Sequence, residues 1–123
     1  MAYIPKGAEW FLAEIIQEFQ VEGESLRDVY INFLLVHAHT PEQAYERAIE
    51  LGKEHDYEYK TPDGKIAHSV FRGLHNLHVI HDKLEHGAEI LYEERCDLAE
   101  EQVKKLATPK HELNVFRPHE EDL

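Results

Sequence analysis

Apolar residues recur along this chain with two different periods, and the change of period separates helical from extended segments. After Thr40 the period is helical. Ala44, Ala48 and Leu51 recur at i, i+4 and i+7, flanked by Tyr45 and Ile49, while Glu42, Glu46, Arg47 and Glu50 fall on the outer side. Thr40-Pro41-Glu42-Gln43 opens the segment with a capping hydroxyl, a proline at the first helical position and a glutamine at capping-box spacing. The pattern predicts a helix over Thr40–Leu51. Gly52 is a candidate end, with Lys53, Glu54 and His55 able to add a last turn. Just upstream, Val29–Ala38 (VYINFLLVHA) is short and rich in β-branched and aromatic residues, which predicts a strand. One face carries Val29, Ile31, Phe33 and Leu35, the other Tyr30, Leu34, Val36 and Ala38. With both faces apolar, the expectation is a central strand covered on both sides.

The remaining segments extend the sheet. Tyr57–Lys60 and Lys65–Arg72 flank Thr61-Pro62-Asp63-Gly64, a strong turn signal, and predict a hairpin. Leu74–His81 and Ala88–Arg95 predict further strands, separated by a turn at Glu85-His86-Gly87. Asp97 and Glu100 repeat the capping-box spacing ahead of Leu98, Val103 and Leu106, which predicts a second helix over Asp97–Ala107, stopped by Thr108-Pro109. Trp10–Phe19 is ambiguous. Apolar residues at 11, 12, 15, 16 and 19 match a helical stripe, whereas a strand would align Phe11, Ala13, Ile15, Phe19 and Val21.

Composition narrows the function classes. Among 123 residues, 13 Lys and Arg face 25 Asp and Glu, a formal charge of −12. Such a chain does not wrap nucleic acid by counterion release or cling to an anionic membrane. An apolar content of 42% argues against disorder, no apolar run is long enough to span a bilayer, and the first residues lack a signal-peptide core. A single cysteine, Cys96, forbids an internal disulfide and fits a reducing compartment. A cytoplasmic protein is expected. The ten histidines are the exception in this composition: protonating all of them would move the formal charge from −12 to −2.

Three stretches together resemble the small bacterial family catalogued as domain of unknown function 4288 (DUF4288), across roughly residues 9–96. They are Trp10–Glu14 with Val21–Glu24, Thr40–Tyr45 leading into Glu50-Leu51-Gly52, and Phe71–Leu74 running on through Ile80, Leu84 and Gly87–Ile90. The resemblance implies that Trp10–Val21 pairs with the following strand as a hairpin, so this segment is assigned as strand against its periodicity. It carries no reaction and no binding residues. The expected architecture is α+β: an antiparallel sheet of about five strands, one helix after strand two and a C-terminal helix, forming a single domain over residues 1–107. Residues 108–123 are expected to be a flexible or trans-docking tail.

Candidate chemistry centres on histidine. His37 and His39 occupy i and i+2 at a strand end, roughly 6–7 Å apart on one face, a spacing that suits two imidazoles on one zinc or similar divalent ion. The third ligand would be His68 or His81. In the run His75, His78 and His81, strand alternation places His75 and His81 about 20 Å apart and turns His78 to the opposite face, so one ion cannot gather all three. Ser25 and Ser69 lack a nucleophile-elbow context, acidic neighbours raise the Cys96 thiol, and the six glycines form no phosphate-cradling loop. No cofactor is predicted beyond that possible metal. The leading expectation is a non-enzymatic interaction module whose acidic surface meets another protein, such as a basic partner that it inhibits, or a second copy of itself. A histidine-based metal protein or small metal-dependent enzyme is the alternative.

Overall fold

A computed structural model describes residues 4–118 and confirms an α+β protein with an antiparallel sheet. The chain divides into two units, one running through Tyr92 and one beginning at Glu93. The first contains β1 (Trp10–Val21), β2 (Asp28–His37), α1 (Pro41–Lys53), β3 (Tyr57–Lys60) and β4 (Ile66–Val79), with strand order β2-β1-β4-β3. Trp10–Val21 is a strand along its whole length, paired with β2 in an unbroken register from Trp10–His37 to Phe19–Asp28.

The core lies between the sheet and α1. Phe11, Ala13 and Ile15 of β1, with Val36 and Ala38, meet Ala44 and Ala48 of the helix, and Leu34, Leu51, Phe71, Leu74, Leu77 and Val79 pack around them. Four alanines at the contact let helix and sheet approach closely. Thr40 caps α1 as expected, its hydroxyl accepting from the Gln43 N–H at 3.1 Å. The Gln43 side chain reaches back one residue further than a capping box requires and accepts from the His39 N–H at 2.8 Å. Gly52 does not end the helix. It is buried in the last turn, where the Phe71 ring occupies the space a side chain would need.

Four expectations change. Two strands expected at Lys65–Arg72 and Leu74–His81 are one continuous β4, because bulges rather than a break absorb the irregularity around Gly73, whose φ of 119° suits glycine. Ala88–Arg95 forms no strand, so the sheet has four strands among the described residues, not five. β2 is an edge strand and not a central one, since β4 takes the other side of β1. Its two apolar faces therefore differ: Val36 is buried under α1, while Val29, Ile31, Phe33 and Leu35 are 39–60% exposed.

The second unit holds α2 (Glu100–Leu106), shorter than the expected Asp97–Ala107. Asp97 takes a left-handed φ of 57°, and Ala99 takes the N-cap position, its N–H held by the Gln102 side chain at 2.8 Å. Two single 3₁₀ turns follow, at Lys110–Glu112 and Asn114–Phe116, and residues 119–123 of the expected tail lie outside the described residues. No described helix is long and apolar enough to cross a membrane.

Candidate functional site

The sheet face turned away from α1 is where polar chemistry collects. Alternation along β1 sends Leu12, Glu14, Ile16 and Glu18 to this face, so two carboxylates stand among apolar neighbours, about 13 Å apart along the strand. Both are at least nine-tenths buried. A buried carboxylate is costly unless hydrogen-bonded and paired, and β4 supplies the partners through its irregularities. Glu14 pairs with Asn76 and Ile15 with Leu74, which leaves His75 as an extra residue. Ile16 pairs with Gly73 and Gln17 with Phe71, which leaves Arg72 as a second. Each extra residue resets the alternation, so positions expected to face opposite ways face the same way.

This corrects the reading of the histidine run. His75 and His78 both turn to Glu14, whose Oε1 accepts from His75 Nδ1 at 2.9 Å and whose Oε2 accepts from His78 Nε2. A carboxylate only accepts, so those two ring nitrogens carry the protons. The His75 hydrogen bond, followed by that of His78, holds the Glu14 carboxyl below its ordinary value against the opposing pull of burial. Glu18 is clamped by Arg27 at 3.3 Å and by Arg72 at 3.4 Å, and accepts from the Gln20 amide at 2.7 Å. The carboxylates lie beneath, and the half-exposed Arg27, Arg72 and His75 lie above them. Beside this polar row runs the exposed apolar row of β2.

The opposite face has a smaller polar knot. Gln17 Nε2 donates to Ser69 Oγ at 2.8 Å and to the His55 carbonyl at 3.1 Å, while Asp56 accepts from the Phe71 N–H just beyond the last β3–β4 pair. This ties the loop after α1 to both central strands. At the far end of β4 an open cleft of about 550 Å³ is bounded by Phe11, Leu77, Ile90 and Leu91, with His78 and Asp82 among its polar wall residues.

His37 and His39 do come together at the end of β2. Their ring centroids are 5.3 Å apart, and His37 also stacks against Trp10 at 4.9 Å. His81 follows β4 at the same end, just past the Ile80–Trp10 hydrogen bond. His68 does not join them: it pairs across from Gln20, ten positions along β1 from the Trp10–His37 pair, and contacts Glu58. Among the described residues no three His, Cys, Asp or Glu side chains are grouped to hold a metal ion. Sequence reading missed Glu14 and Glu18. The available signal was two acids at even spacing within an otherwise apolar strand, and their partners depended on bulges that no sequence period reveals.

Residues 10–92 match the family described as Domain of unknown function (DUF4288), and the chain belongs to that family. No curated protein and no solved structure matches the chain.

Proposed function

For this member of the DUF4288 family we propose a non-enzymatic protein-interaction module that binds through the sheet face left uncovered by α1. The observation that supports this reading is the row Val29, Ile31, Phe33 and Leu35, four large apolar side chains 39–60% exposed on one strand. Scattered surface apolar residues need no explanation, but a contiguous row on an otherwise strongly acidic protein marks a surface that another molecule covers. The reading moves the binding surface away from the acidic outer side of α1, where Glu42, Glu46 and Glu50 stand in solvent as charged residues normally do. Paired, charge-compensated carboxylates give the uncovered face a fixed polar border, not a reactive centre. The experiment is capture of a partner on immobilised protein, followed by reconstitution with that partner purified. Phe33→Glu should abolish the reconstituted complex and Glu46→Lys with Glu50→Lys should preserve it; the opposite pattern would return the interaction to the acidic helix.

One observation favours a second reading, a divalent-metal site at His37 and His39: the two rings are already adjacent. Native mass spectrometry with zinc added should then show a bound ion that His37→Ala and His39→Ala each remove.

A further inference from the structure

We infer that the uncovered face receives a single amphipathic helix of about four turns with acidic flanks, presented by a partner protein; this rests on the reading of that face as the binding surface. The dimensions come first. Beyond the short β3 the sheet is three strands wide, β2-β1-β4, and two inter-strand spacings make about 10 Å, the diameter of one helix. On the opposite face those same three strands are already covered by one helix, the 13-residue α1. The exposed row from Val29 to Leu35 is about 20 Å long, the length of such a helix.

Charge then selects the chemistry of the occupant. Along the β2 border the face is uncharged from Val29 to Leu35. Along the β4 border Arg72 and His75 stand half-exposed, with Arg27 at the β1–β2 turn, and their carboxylate partners lie underneath. A docked helix would place its apolar stripe on Val29, Ile31, Phe33 and Leu35 and its flank over the two arginines. An acidic flank gains there, and a basic one is repelled. A second copy fits poorly. Its one acidic helix of sufficient length, α1, has its apolar stripe buried in its own core and is not free to dock.

The test is calorimetric titration of the full chain with two synthetic 18-residue helical peptides sharing one leucine stripe, one with glutamate flanks and one with lysine flanks. The acidic peptide should bind at least about tenfold more tightly than the basic one. Phe33→Glu should abolish that binding, and Arg72→Glu with His75→Glu should invert the preference, each with an unchanged far-ultraviolet circular dichroism spectrum. Equal binding of both peptides that still requires Phe33 would overturn the acidic partner while leaving the surface in place. Absence of binding, or binding indifferent to Phe33, would overturn both. A dimer in sedimentation velocity that Phe33→Glu dissociates would put a second copy on the face and overturn the helix.

Discussion

Replacing Glu14 by glutamine keeps the shape of the side chain and removes its charge, so it measures what the carboxylate contributes between His75 and His78. In the native arrangement Glu14 accepts two charge-assisted hydrogen bonds. Bonds to a charged group contribute about 1.5–3 kcal/mol each and neutral ones about 0.5–1.5, so the exchange forfeits roughly 1 kcal/mol per bond. The full sum overstates the loss, because the His75 side chain is 57% exposed and can turn to water. An expected loss of about 1–2 kcal/mol at pH 7 follows, read by urea unfolding of both proteins. The pH dependence carries the sign. The Glu14 carboxyl sits below its ordinary value in the folded chain, so its contribution is fully present above the unfolded value of 4.5 and is lost as pH falls through the lower folded value. The difference between wild type and variant should therefore shrink towards zero on acidification below that range. A variant as stable as wild type at pH 7, or a difference that persists undiminished once the Glu14 carboxyl is protonated, would refute the reasoning.

Three further outcomes follow from the packing. Gly52→Ala should destabilise by about 1–3 kcal/mol in chemical denaturation because its Cβ would enter the Phe71 ring, and in a Phe71→Leu background the same change should cost far less. Thr40→Ala should cost about 1 kcal/mol through loss of the hydroxyl that caps the Gln43 N–H, and Thr40→Ser should restore most of it in the same assay. Phe33→Glu should change the urea midpoint by no more than the equivalent of about 0.5 kcal/mol, since the ring is already 60% exposed; a large loss would mean that it is a core residue.

Local chemistry was the legible part of this chain. Thr40-Pro41 sets the start of α1, and Ala44, Ala48 and Leu51 choose its buried side, because both depend on residues within a few positions of one another. The β1–β2 hairpin was harder: the apolar spacing of Trp10–Phe19 fits a helix, and only the resemblance to a family identified a strand. Neighbour order was not legible. An apolar strand such as β2 looks central by composition, yet it became an edge when β4 returned to the other side of β1. The Glu14 cluster was the least legible. Alternation assigns His75 and His78 to opposite faces, and one inserted residue in the ladder reverses that assignment.

Methyl-resolved NMR of the full chain, titrated with the glutamate-flanked helical peptide, tests the central claim most directly. Shifts confined to Val29, Ile31 and Leu35, with His75 and His78 ring signals moving in step, are the predicted result. Shifts on Ile49 at α1, or no shifts at all at saturating peptide, would contradict the claim that the uncovered sheet face is the binding surface.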